Sequence, residues 1–450
     1  MTPVFPALPP EGMFPGAQSA PVRVTARPGQ ARPGQKTCPN LTTVSERRLH
    51  AVLAGPEGLL GPLEAALDGT GPAVAPVDPA LPRPQLERLL AELKPDAVRT
   101  PDGVAPRGRA DGSGGRAGGD GPPVDGDTAV VIVTSGSTGR PKGVELSAAA
   151  LLASARASLD RIGAAPGERW LCCLPVSHVA GIQVLVRSLV TGTAPVTAAR
   201  LDPGIVASCG GAHVSMVPTQ LRRLVDAGAG LGSLGTILLG GAGAPARLLD
   251  DAAAAGGRVV TTYGMTETCG GCVYDGIPLD GVRVAAGPDG RIRVAGPVLF
   301  TRYRGQPALT REALAGGWFT TSDLGTVGPS GRVTIRGRAD DVINTGGEKV
   351  IAAEVAAVLE TCPQVRAAAV IGRPDDEWGE RVTAVVVPAD PAAPPALEML
   401  RAHVRRVMPP LAAPRELMLV AEMPLLPSGK PDLRALRGRG SPGGQRSREQ

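Results

Sequence analysis

The sequence predicts an α/β fold: a large N-terminal domain with doubly wound, mostly parallel sheets plus a small β-subdomain, and a small mobile α+β C-terminal domain. Three observations predict it. Between 128 and 264, apolar β-branched runs alternate with helical stretches, the pattern of parallel strands covered by helices. Three glycine-containing segments, "TSGSTG", "LLGGAG" and "TTYGMTE", fall at the ends of such runs, where ligands of these folds sit. After Gly281 the pattern changes to short strands, and after Asp340 to a compact mixture of helix and strand.

Residues 1–45 are rich in Pro and Gly without a period and read as a disordered extension. The N-terminal domain is expected over 46–338. Its first part, from about Ser45 to Pro95, alternates a helical pattern with short breaks, and 101–127 reads as a flexible loop. "TAVVIVT" (128–134) is a buried strand, and Ser147 caps a helix running to about Arg161. "RWLCCLP", "AHVSMVP", "GTILLGG" and "RVVTTYG" read as strands. "HVAGIQVLVRSLV", "TQLRRLVDAG" (ending at Gly228) and "PARLLDDAAAAG" (opened by Pro245) read as helices. "VRVAAGPDGRIRVAG" is a hairpin around Asp289-Gly290. The C-terminal domain is expected over 339–436: a helical period in "EKVIAAEVAAVLETC", two strand-like stretches, a helix near 396–408 and a strand in "ELMLVAEMP". Residues 437–450 read as a disordered tail.

Hydrophobic residues make up 43% of the 450, enough for a large core, but aromatics only 2%, so aliphatic side chains must fill it. The net charge of +5 sits at the ends: Arg23, Arg27, Arg32 and Lys36 against Glu11, and five arginines against Asp432 and Glu449 after Pro431. A basic face with interleaved aromatics is missing, which argues against nucleic-acid binding. Seven irregularly spaced cysteines argue against a disulfide framework and for a reducing cytoplasm. "CGGC" (269–272) has no second Cys/His pair at zinc spacing. No apolar run is long enough to span a membrane, and the N-terminus lacks a secretory pattern.

"TSGSTGRPKG" (134–143) carries the chemistry. Backbone N–H groups of a glycine-rich turn converge on an anion, and hydroxyls and a lysine add donors and charge. Lys142 follows Pro141 and precedes Gly143, so the Walker pattern is not met. The segment resembles the phosphate loop of the adenylate-forming ligases, a superfamily of acyl-CoA synthetases, adenylation domains and luciferases. The likeness continues in order through "YGMTET" (263–268), "TSDLG" (321–325), "GRADDVINTGGEKV" (337–350) and "PSGKPD" (427–432). "YGMTETCGGCVYDGIPLDGV" and "LPVSHVAGIQVLVRSL" further resemble the o-succinylbenzoate–CoA ligases of menaquinone biosynthesis, in their actinobacterial form.

The resemblance implies ATP-dependent activation of a small-molecule carboxylic acid to acyl-AMP, then transfer to CoA, with Mg²⁺ as cofactor. It assigns Thr134, Ser135, Gly136, Ser137, Thr138, Gly139 and Lys142 to the phosphates. Gly241, Tyr263, Asp323 and Arg338 fall to the rest of the nucleotide, Tyr263 as the adenine-stacking ring and Asp323 with Arg338 on the ribose. Thr266 resembles the α-phosphate contact and Glu267 the Mg²⁺ ligand. Lys430 resembles the lysine bridging carboxylate and α-phosphate, Asp340 the hinge, and Gly346 and Gly347 the glycines beside the CoA arm. His178, Arg187, Arg223 and Gly264 are the acid-side candidates. Arg187 stands in an otherwise apolar helix, where a guanidinium needs an anion. o-Succinylbenzoate keeps a second carboxylate that such an arginine could hold. "CGGC" is expected beside the acyl pocket. Three alternatives stay open: a CoA ligase for another aryl or medium-chain acid, an adenylation enzyme loading a carrier protein, and an ATP-binding protein without chemistry. A homodimer is compatible with the sequence but not read from it.

Overall fold

The run 128–134 becomes the strand Thr128–Ser135, in a seven-stranded sheet of the computed structural model, which describes residues 46–107, 121–135, 141–426 and 429–438. The sheet runs Arg302–Tyr303, Pro141–Ser147, Thr128–Ser135, Ala73–Val77, Leu49–Leu53, Ala97–Thr100, Gly103–Pro106. Its centre is parallel, and antiparallel pairings close both edges. A second seven-stranded sheet runs Val196–Thr197, Trp170–Cys172, His213–Met216, Thr236–Leu239, Arg258–Met265, Gly270–Tyr274, Ile277–Pro278. Its first five strands are parallel and its last two antiparallel.

The helices Ala148–Ile162 and Val179–Thr191 lie between these sheets. Leu151, Leu159, Ile182 and Leu185 pack there with Val130 and Ile132 of the first sheet and Trp170 and Val273 of the second. Burying such side chains contributes about 1.5–3 kcal/mol each. Ser147 Oγ accepts from the Ala150 N–H at 3.1 Å and so caps the first of these helices. Gly163, with φ +72°, ends it. The second sheet carries Pro218–Asp226 and Ala246–Ala254 on its other face, through Leu221, Leu224, Leu248 and Ala252.

A third, antiparallel sheet comprises Arg283–Ala286, Arg291–Ala295, Trp318–Val327 and Leu314–Ala315, with Val333–Arg338 also paired to Trp318–Val327. Beyond Asp340 a smaller sheet of Glu348–Ile351, Val342–Thr345, Gly379–Pro388 and Val365–Asp375, with Glu416–Leu419 alongside, packs on the helices Ala352–Glu360 and Leu397–Arg405.

Three segments differ from the expectation. The stretch 45–95, read as helix with breaks, also holds the strands Leu49–Leu53 and Ala73–Val77. Their alanines and the proline in "AVAPV" hide the strand signal, which comes from burial on both faces. "EKVI", read as helix, is a strand, because a Gly346-Gly347 turn folds it back on Val342–Thr345. The ends of the 101–127 segment carry the paired strands Gly103–Pro106 and Val124–Asp125. The helix expected near 396–408 is present, as Leu397–Arg405.

Ser147→Ala removes a cap at the entrance to the central layer, so it is expected to lower unfolding free energy by about 1 kcal/mol. The urea midpoint at unchanged slope measures it.

Candidate active site

Two carboxylates organise the crevice, each held by a tyrosine. Glu267 lies in a 3-10 turn, Thr266–Thr268, that follows the long strand Arg258–Met265; Thr268 Oγ1 accepts from the Met265 N–H at 3.0 Å and fixes the turn. The Glu267 Oε1 accepts from Tyr303 Oη at 2.9 Å and lies 3.8 Å from Lys142 Nζ. The same ammonium stands 4.5 Å from the Tyr303 ring centroid, within cation–π range. Burial first, and then Glu267, push the Tyr303 phenol far up, so it stays a proton donor. Lys142 is the second residue of the strand Pro141–Ser147, two before Val144, which pairs with Tyr303 on the edge strand, so backbone register brings lysine and ring together. Thr134 pairs with Lys142 across the neighbouring strand. Gly136, Ser137, Thr138 and Gly139 lie outside the described residues, and Ser135 is described by its backbone pairing with Pro141 alone.

The second carboxylate is Asp323. Its Oδ2 accepts from Tyr263 Oη at 2.8 Å and its Oδ1 from Arg338 Nη1 at 3.4 Å. Asp323 and Arg338 are partners in strand register, which explains their meeting from 15 residues apart. Arg338 also reaches Asp340 Oδ2 at 3.2 Å, so one guanidinium joins the site to the first residues of the small domain. Burial, then Asp323, raise the Tyr263 pKa far above the ordinary phenol range. The resemblance made Tyr263 a stacking ring; here its hydroxyl also holds Asp323.

Lys430 arrives from the small domain on a tight loop in which Leu426 N–H donates to Lys430 O at 2.8 Å and Gly429 N–H donates to Leu426 O at 2.8 Å. Gly429 has φ +80°, and a Cβ there would stand 2.9 Å from Val217 Cγ2 and 3.1 Å from Thr219 Oγ1 of the large domain. That contact seats the loop on the crevice. The Lys430 side chain keeps exposed surface, yet its amine sits among protein groups. Lost hydration and then Arg338 lower its pKa, and Asp323 opposes them. Gly241, with φ +83°, lies against the same Val217. Gly264 sits at a β-bulge where any Cβ would be 2.0 Å from Gly270 O, so the two strands can approach only through a glycine. Among the described residues no cluster of three or more His, Cys, Asp or Glu could hold a metal alone.

Deeper between the sheets, Arg187 is 4% exposed. Its guanidinium lies 4.7 Å from the Trp170 ring centroid, and Nη1 donates to Ser215 Oγ at 3.1 Å. Nε has no hydrogen-bond partner, and no carboxylate pairs with Arg187 among the described residues. Burial lowers its pKa, and Tyr274 works against that. One turn earlier, Gln183 is fully buried; its Nε2 donates to Leu151 O at 3.2 Å while Oε1 has no partner. Gln183 Cγ lies 3.4 Å from where a Gly270 Cβ would be, which places this helix face against "CGGC". Cys269 and Cys272 are fully buried, and burial pushes the Cys272 thiol up to about 12, so both are inert hydrophobes. His178 begins the Arg187 helix and remains exposed. Arg223 stands on the exposed side of Pro218–Asp226 and makes no ion pair among the described residues, so the structure does not group it with Arg187.

The glycine pair lies elsewhere on the small domain. Gly346 N–H donates to Trp378 O at 3.0 Å, and a Gly346 Cβ would press within 2.9 Å of the indole, whose other contact is the Arg415 guanidinium at 3.7 Å. Gly347 faces open space.

The motifs did not point to Tyr303, Trp170, Ser215 or Trp378. A signal existed in scarcity. The chain has three tyrosines, and all stand at this site: 263 on Asp323, 303 on Glu267, 274 beside Arg187.

Comparison with known proteins places the chain in a family. Residues 64–302 match the AMP-binding enzyme family and 354–430 match the AMP-binding enzyme C-terminal domain. A probable 2-succinylbenzoate–CoA ligase of Mycobacterium tuberculosis is 48% identical over 327 residues, covering 70% of this chain and 85% of that protein. Among solved structures, the o-succinylbenzoate CoA synthetase of Bacillus subtilis in complex with its acyl-adenylate intermediate shares the fold, with TM-score 0.73, 24% identity, and coverage of 89% of this chain and 90% of that one. The amide bond synthetase McbA of Marinactinospora thermotolerans gives TM-score 0.76 at 27% identity over 88% and 90%. The chain is a member of the AMP-binding enzyme family.

Proposed function

We propose that this chain ligates 2-succinylbenzoate to CoA in two steps at the crevice described above. In the first, a carboxylate oxygen attacks the α-phosphorus of ATP, the bond to the β-phosphate breaks, and pyrophosphate leaves with an acyl-AMP formed. In the second, the CoA sulfur attacks the acyl carbonyl, its proton is lost, and AMP leaves. The observation that carries the substrate is Arg187: a buried cation whose Nε has no partner and that no carboxylate pairs among the described residues. An uncompensated buried charge costs several kcal/mol, and a ligand carboxylate is the partner that offsets it. The benzoate carboxylate of 2-succinylbenzoate supplies that anion while its succinyl carboxylate is activated. The Mycobacterium relative, 48% identical, is named a probable 2-succinylbenzoate–CoA ligase, which supports this reading.

Each group has work suited to its chemistry. Lys142 and the glycine-rich loop bind the β- and γ-phosphates. Asp323 accepts from the ribose hydroxyls, prepared by Tyr263 and Arg338 on its two oxygens. Lys430 brings an ammonium to the carboxylate and α-phosphate, where two anions would otherwise repel. Glu267, oriented by Tyr303 and beside Lys142, fits a single-carboxylate Mg²⁺ site whose remaining ligands are phosphate oxygens and water. When bound, that ion would neutralise charge on the phosphates. Gly347 leaves room for the CoA arm, and Trp378 with Arg415 beside Gly346 offers an aromatic and cationic surface for its nucleotide end.

Arg187→Ala is expected to reduce kcat/KM for 2-succinylbenzoate by about a hundredfold or more, the scale of a buried charged pair, with the KM for ATP nearly unchanged. Pyrophosphate release under saturating ATP measures it, and equal kinetics for variant and parent would remove the basis for this substrate. Lys430 acts as an ammonium, so activity from it is present at low pH and lost as pH rises through its pKa. Because that pKa is lowered, the alkaline limb of kcat/KM for pyrophosphate release is expected to begin below the ordinary lysine value of about 10.4.

A further inference from the structure

We infer that Arg336 and Glu354 form a docking pair that sets the small domain in the orientation delivering Lys430, and so act as positioning residues for adenylate formation. The inference rests on the two-step reading above.

Arg336 lies on Val333–Arg338, the last strand of the large domain, and Glu354 in the first turn of the small domain's Ala352–Glu360 helix. Nε meets Oε1 at 2.6 Å and Nη2 meets Oε2 at 3.0 Å, a two-pronged contact that fixes direction as well as distance. The pair spans Asp340, so it cannot persist unchanged if the small domain turns about that point. Neighbouring backbone reinforces it: a Cβ on Gly337 would come within 2.5 Å of Ile351 Cγ2 and 3.3 Å of Ala353 Cβ. The far edge of the small domain carries the Gly429–Lys430 loop onto Val217 and Thr219.

Exposed ion pairs are usually weak, and this one is 46% and 30% exposed. Its two-pronged geometry and its position at a pivot make it useful: a small bias in orientation becomes a bias in which half-reaction the enzyme is ready for. Neither side chain hydrogen-bonds Glu267, Asp323 or Lys430 among the described residues.

The test separates the half-reactions. Single-turnover pyrophosphate release from 2-succinylbenzoate and ATP reports the first, and thioester formation from supplied acyl adenylate and CoA reports the second. Glu354→Gln and Arg336→Gln are each expected to slow the first by about twofold to fivefold, the scale of an exposed ion pair, and to leave the second unchanged or faster. The exchanged pair, Arg336→Glu with Glu354→Arg, is expected to recover most of the loss. Unfolding midpoints measured alongside separate orientation from stability. Equal slowing of both steps, no slowing of either, or an exchanged pair no better than the single variants overturns the inference. A parent protein releasing no pyrophosphate with this acid would instead overturn the proposed function, and this inference with it.

Discussion

Repulsion between anions is the constraint on which the rest depends. A carboxylate and a triphosphate must be brought into contact, and two like charges at 4 Å repel by about 4 kcal/mol at the effective dielectric of a protein surface. In the proposed reading the chain meets this with cations from separate segments: Lys142 from the first sheet, Arg338 from the third, Lys430 from the small domain. None is left loose. Lys142 lies over an aromatic ring and near a carboxylate, Arg338 is divided between two aspartates, and Lys430 sits on a loop whose glycine packs against the large domain. Electrostatic preorganisation of this kind lowers a barrier without rearrangement at the moment of reaction.

A chain so poor in aromatics uses them to aim charges. Tyr303 and Tyr263 each donate to one site carboxylate and fix its second oxygen's direction. All three tryptophans lie beneath a guanidinium: Trp170 under Arg187, Trp318 under Arg283 and Arg293, Trp378 under Arg415. Packing of the two large sheets is left to Leu, Val, Ile and Ala, which carry no such directional demand.

Sequence showed the alternation from 128 to 264, the hairpin at Asp289-Gly290 and the change of character past Gly281, because those segments combine clear periods with glycine or proline boundaries. It obscured the alanine-rich strands near the N-terminus, where burial on both faces erases alternation. Motif residues such as Glu267, Asp323 and Lys430 were visible one by one. Their partners were not, because Tyr303 reaches Glu267 from a segment 36 residues away and Glu354 reaches Arg336 through the placing of a domain. Arg187 was visible as a cation in an apolar run, whereas its partner Ser215 comes from the strand His213–Met216, 28 residues on, and the stacking of Trp170 from the preceding strand depends on how that strand and the helix pack.

The proposed division of labour places Lys430 in the first step alone. Lys430→Ala measured in both half-reactions tests this most directly. The account predicts that acid-dependent pyrophosphate–ATP exchange falls by about a hundredfold or more, as when a charge aimed at the reacting phosphate is removed, while thioester formation from supplied acyl adenylate continues near the parent rate. Exchange that survives the substitution, or equal loss of both steps in a folded variant, would contradict it.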